Sequence, residues 1–162
     1  MKKVILSMVL TAGIISYGCN SKPDNLNQKV VPSEVALIEH TAALSEAEGM
    51  QLLETHCFAC HSPKSVSHDE MLAPPLAGIK HRYKTLYPDR NTFISRMTAY
   101  ISKPSEENAV MRGPVRRFGL MPPTTLEEEK IRELTAFIYD NSLPAPKWFP
   151  KHFEEKHGEK WN

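Results

Sequence analysis

The sequence predicts an all-α fold, and three segments carry that expectation. Ser45-Glu46-Ala47-Glu48 sets a hydroxyl and, three residues later, a carboxylate at the head of a helical run reaching Thr55, the pattern of a capping box. Asn91 to Lys103 reads as a second helix, stopped by Pro104, whose ring cannot continue it. Thr124 to Tyr139 is the most periodic stretch of all, with Leu126, Ile131, Leu134, Phe137 and Ile138 on one face. Thr124 or Thr125 is the expected cap of this last helix, and Glu127, Glu128 and Glu129 suit the positive end of its dipole. Ser105 to Met111 reads as a further short helix. The expected architecture is a small helical domain over residues 44–143 with irregular N- and C-terminal extensions.

Composition bounds the function classes. The chain has 162 residues, 24% charged and 41% hydrophobic, values of an ordinary globular protein rather than a disordered one. Thirteen prolines imply long irregular connections around a modest core. Twenty basic residues against 19 acidic leave a net charge of +1, which excludes a global polyelectrolyte signal for nucleic acid. Three cysteines cannot form a closed disulfide framework, so each is explained by its position.

The first cysteine ends an export signal. Lys2 and Lys3 precede an apolar stretch from Val4 to Ile15, and polar Asn20, Ser21 and Lys22 follow. A membrane-crossing helix needs about 20 predominantly apolar residues, more than this run supplies. Ile15-Ser16-Tyr17-Gly18-Cys19 resembles a bacterial lipoprotein signal, in which the cysteine is lipidated and becomes the mature N-terminus. Ser16 stands where that resemblance favours an aliphatic residue, so an ordinary cleaved signal is the alternative. The resulting expectation is a signal peptide over 1–18, then a tether over 19–43, anchored through Cys19 on the outer side of a membrane. Val30-Val31 and Val35 to Ile38 leave a short docked helix open as a second reading of the tether.

The other two cysteines stand in Cys57-Phe58-Ala59-Cys60-His61, the attachment signature of c-type haem. Two thiols three residues apart suit thioether bonds to the two vinyl groups, and the next residue offers an imidazole to the iron. A thioredoxin-like pair would follow a strand, and here the motif follows a helix. A zinc site would want a second ligand pair, and a plain disulfide leaves His61 without a role.

Around this motif the chain resembles class I cytochromes c over about Thr41 to Leu143. Gly49 and Leu53 match the positions where that family's first helix crosses its last, which implies contact with Leu134 and Phe137. Pro74-Pro75-Leu76-Ala77-Gly78 matches the family's P-x-L-x-G loop, and the resemblance implies that the Pro74 carbonyl orients His61. Gly119-Leu120-Met121-Pro122-Pro123 looks like the family's methionine loop, which implies Met121 as sixth ligand. Met111, His81 and His68 are its competitors, Met71 lies too close behind His61 to swing across easily, and Met50 and Met97 read as core. Arg82 stands where the family often contacts a haem propionate, with a role in docking as the equal alternative.

The implied function is electron transfer by a membrane-anchored monohaem cytochrome, as a carrier or as the haem subunit of a respiratory or dehydrogenase complex. Two alternatives remain in the sequence: a haem sensor or catalyst with a labile sixth position, and an accessory subunit working through its tail. From Lys80 to Arg117 nine basic residues face three acids, whereas Pro32 to Thr55 carries five glutamates and no base. That polarity points to acidic redox partners. Residues 144–162, with Trp148, Phe149, His152 and His157, lie beyond the resemblance, and the spacing of the two histidines is poor for a metal pair.

Overall fold

A computed structural model describes residues 43–161, and every regular element among them is helical. In chain order these are α1 (Glu46–His56), α2 (Leu76–Leu86), α3 (Arg90–Ser102), α4 (Arg112–Phe118), α5 (Glu128–Asp140) and α6 (Phe149–His157). The expected signal peptide, Cys19 and most of the tether lie outside the described residues.

Local chemistry sets the helix ends. The Ser45 side chain accepts from the Glu48 amide while Glu48 reaches back to the Ser45 amide, closing the capping box at α1. Asp89 caps α3, its carboxylate accepting from the Thr92 amide at 2.8 Å. α5 departs from expectation: it starts after Glu127 with no side-chain cap, because the Thr124 hydroxyl turns instead to the Leu126 amide. Ser105 to Met111 is a turn rather than a helix, closed by Ala109 donating to the Ser105 carbonyl. The next helix is α4, which starts at Arg112 and holds Pro114 in its first turn, where a missing N–H costs little. The C-terminal extension is not wholly irregular either, since α6 takes up nine of its residues, with Pro150 in its first turn and Gly158 in the left-handed conformation ending it.

Packing centres on α3 against α5, with α1 and α2 completing the layer around them. Leu53, Tyr83, Phe93, Met97, Leu134, Phe137 and Ile138 are buried together. Gly49 lies so close to the Phe137 ring that a β-carbon there would stand 2.3 Å from it, which lets α1 cross α5 at short range. Between α3 and α5 the Thr98 hydroxyl donates to Thr135, which donates in turn to the Arg132 carbonyl, both at 2.9 Å. This order makes the pair asymmetric. Thr135→Val strands the Thr98 hydroxyl in the core and is expected to cost about 1–3 kcal/mol, whereas Thr98→Val leaves Thr135 bonded and costs less. Urea unfolding of the two variants checks the difference.

α6 folds back onto α2. Phe149 stacks over Gly78, where a β-carbon would meet its ring at 2.7 Å, and the Trp148 indole donates to the Ser65 carbonyl at 3.0 Å. Phe149 and Phe153 each meet Trp161 edge to face, and the exposed His81 ring rests edge-on against Phe153.

Candidate functional site

The end of α1 delivers the Cys-x-x-Cys-His segment into a tight turn. The Cys57 and Phe58 amides both donate to the Leu53 carbonyl, and the Cys60 and His61 amides donate to the Cys57 carbonyl. Cys57 is half-buried and Cys60 exposed, and both are free thiols. Burial pushes the Cys57 thiol up to about 11, so it stays protonated at neutral pH.

His61 sits beside them with its orientation fixed. Its Nδ1 lies 2.6 Å from the Pro74 carbonyl oxygen. A carbonyl can only accept, so Nδ1 carries the proton and Nε2 keeps its lone pair. Burial holds the ring below the ordinary imidazole range, partly offset by the Pro74 carbonyl, which favours the protonated form. The result is a neutral imidazole with a free nitrogen, the form that binds a metal.

Both thiols and His61 line an apolar cavity of about 270 Å3, and Met121 lines it too. Leu76, Ile79, Met97, Ile101, Leu134 and Ile138 make up much of its wall. Those residues fit a haem: an apolar chamber for the macrocycle, two thiols at its wall for the vinyl groups, and an imidazole and a thioether as iron donors. Leu72 and Leu120 border the cavity with 69% and 42% of their surface exposed, marking where it meets solvent.

The approach to Met121 depends on one backbone conformation. Gly119 ends α4 at φ 82° and ψ −176°, a region that suits glycine alone, and nothing lies within 4 Å of where its β-carbon would be. Gly119→Ala is therefore expected to cost about 1–3 kcal/mol through backbone strain rather than a clash, a loss read as a lower urea midpoint.

Other sequence candidates fall elsewhere. Met111 lines the same cavity as Met121, while Met71 does not. His81 packs against Phe153 and Trp161, and His68 stacks on His152 with ring centroids 4.4 Å apart, both away from the cavity. Arg82 is exposed and lines a neighbouring groove, so the structure does not place it at the cavity wall. Tyr83, Tyr100, Val115 and Phe118 also line the cavity, and no sequence signal singled them out. For Tyr83 an aromatic at helical spacing was the available hint; its burial pushes the phenol well above the usual tyrosine range.

Residues 46–142 match the family described as cytochrome c. An uncharacterised protein of Aquifex aeolicus (strain VF5) is 31% identical over 111 residues, covering 58% of this chain and 73% of the relative. No solved structure matched.

Proposed function

The chain belongs to the cytochrome c family, whose haem is covalently bound and whose work is electron transfer, and on that premise we propose a monohaem carrier with His61 and Met121 as iron ligands. The single observation that supports this most is the convergence of Cys57, Cys60, His61 and Met121 on one apolar cavity. When bound, the haem supplies a one-electron redox centre. The chain's own residues do the rest. Cys57 and Cys60 would hold the group against loss during redox cycling, and Pro74 fixes the His61 tautomer that leaves Nε2 unprotonated and able to bind the iron. The apolar wall excludes water, and a neutral thioether from Met121 favours reduced iron. Two protein ligands leave no open position, which makes the protein a carrier rather than a catalyst.

The rest of the reading concerns place and partners. The protein is exported, held on a membrane surface by lipid on Cys19, and tethered through residues 19–43, so that the domain samples redox partners nearby. Those partners present acidic surfaces to the basic side of the domain. Optical spectra of the haem-loaded protein test the ligation. A low-spin spectrum with the weak red methionine-to-iron(III) band, and no reaction with CO when reduced, is the expected result. A high-spin spectrum or ready CO binding would replace the carrier with a sensor or catalyst.

A further inference from the structure

The hydrogen bond that sets the His61 tautomer also closes a loop. His61 and Pro74 stand thirteen residues apart, and the chain between them is a succession of turns and bends. Its own hydrogen bonds are short-range and exposed, the Lys64 amide donating to the Ser62 hydroxyl and the Glu70 amide to the Ser67 hydroxyl. Segments held only in this way open at low free-energy cost. A carbonyl kept 2.6 Å from Nδ1 therefore needs support from outside the loop.

The head of α6 makes contacts on both sides of Pro74. Before Pro74 in the chain, the half-buried indole of Trp148, the residue preceding α6, donates to the Ser65 carbonyl at 3.0 Å. The same indole stands edge-on to the His68 ring, on which His152 stacks. After Pro74, the Phe149 ring lies against Gly78 at the start of α2, close enough to exclude a β-carbon. Adjacent residues thus brace both the loop and the helix that Pro74 joins. Pro74 and Pro75 link the two with little torsional freedom, since each ring fixes its own φ, and Pro75 is buried. A shift at Ser65 or Gly78 is passed to the Pro74 carbonyl rather than absorbed on the way. From α4, Arg117 adds another hold by donating to the His68 carbonyl at 3.1 Å, on one side of Pro74 only.

We propose that α6 is a clamp on this loop, with Trp148 as the positioning residue that keeps the Pro74 carbonyl on the His61 Nδ1 proton. The inference rests on the reading of His61 as iron ligand and deepens it. Trp148 and α6 lie beyond the residues matched to the family, so the clamp is this chain's own addition. A carbonyl accepting from Nδ1 makes the imidazole a stronger donor, which favours oxidised iron. Loosening the clamp therefore raises the potential.

Trp148→Phe, which keeps an aromatic ring and removes the N–H, tests this in the haem-loaded protein. Two quantities are read: deuterium exchange of the His61 Nδ1 proton by NMR, and the reduction potential. Exchange is expected to quicken by about fivefold, the population change that one lost hydrogen bond brings, and the potential to rise. A chain ending at Leu143 should move both further in the same direction. Thr135→Val is the control, because it weakens the α3–α5 interface without touching the loop, and it should leave both quantities where they are. Unchanged exchange and potential in Trp148→Phe overturn the clamp; so does an equal change in Thr135→Val, which would make the effect one of general stability. If the shortened chain does not fold, the Trp148→Phe comparison decides alone. Spectra of the wild type keep the two questions apart. Iron without an imidazole ligand there overturns the reading of His61 and the clamp with it, whereas an imidazole-bound wild type beside an unmoved variant overturns the clamp alone.

Discussion

Met121→Ala is expected to turn a reduced protein that ignores CO into one that binds it, and to abolish the red methionine-to-iron band. Met121 is half-buried in the cavity wall, carried there by the chain leaving Gly119, and followed by Pro122 and Pro123, which stiffen its approach. A weak thioether ligand holds against water only when the backbone delivers it, so truncation to a methyl group leaves a position that small ligands can take. The potential should fall, since the neutral sulfur no longer favours reduced iron. Met121→His gives a second arm: it restores a low-spin spectrum at a potential below that of the wild type. Met111 is the control, because it lines the same cavity. Met111→Leu should leave spectrum and CO behaviour unchanged; the reverse pattern in the two variants would exchange their roles.

The largest stability effect is expected at a residue with no side chain. On an exposed helix Gly→Ala gains about 1 kcal/mol from propensity alone. At Gly49 the added carbon would stand 2.3 to 2.5 Å from three Phe137 ring atoms, one of them the ring's root, so rotation about the ring axis cannot relieve the overlap. Phe137 is itself 4% exposed and fixed in the core. α1 must therefore move off α5, and overpacking of this kind costs typically 1–3 kcal/mol, occasionally more. Since the overlap is this severe, the net change for Gly49→Ala is expected to be destabilising by about 2 kcal/mol, a fall in Tm of roughly 10 °C. The double variant Gly49→Ala with Phe137→Leu should recover part of that loss, because the two residues share one contact and their effects do not add. Thermal unfolding of the haem-loaded proteins measures both. An unshifted Tm in the single variant would mean that the crossing is looser than the geometry requires.

Much of this architecture could be read before any coordinates, for reasons that differ by element. The capping box at Ser45 and the apolar face of α5 are local: neighbouring residues decide them, and neighbouring residues are what a sequence displays. The Cys57-Phe58-Ala59-Cys60-His61 segment is legible for a chemical reason, since few sites need two thiols and an imidazole at that spacing. The helices that went unread carry misleading punctuation. α2 follows two prolines and exposes His81, Arg82 and Thr85, so its periodicity is faint. α4 contains Gly113-Pro114, which look like breakers but occupy its first turn. α6 opens on Phe149-Pro150, and only its packing on Gly78 and α2 makes nine residues worth ordering. The start of α5 slipped because a threonine suited to capping spent its hydroxyl on a turn. Position relative to the cavity is less legible still. That Arg82 lines the neighbouring groove, and that Met111 shares the cavity wall with Met121, could not be read in advance, since which wall a residue reaches depends on several helices at once.

The cavity has a consequence for how the protein matures. It is lined by residues from α1 to α5 and none from α6, so it occupies the place where a domain of this size would keep its tightest packing. Its wall is apolar surface that the bound group would keep from water. Small domains stay folded by a narrow margin, so covering that surface bears directly on stability. Attachment at Cys57 and Cys60 is therefore expected to raise the domain's stability and its resistance to proteolysis together. Cofactor insertion then doubles as a checkpoint: the chains that persist are those that have been completed.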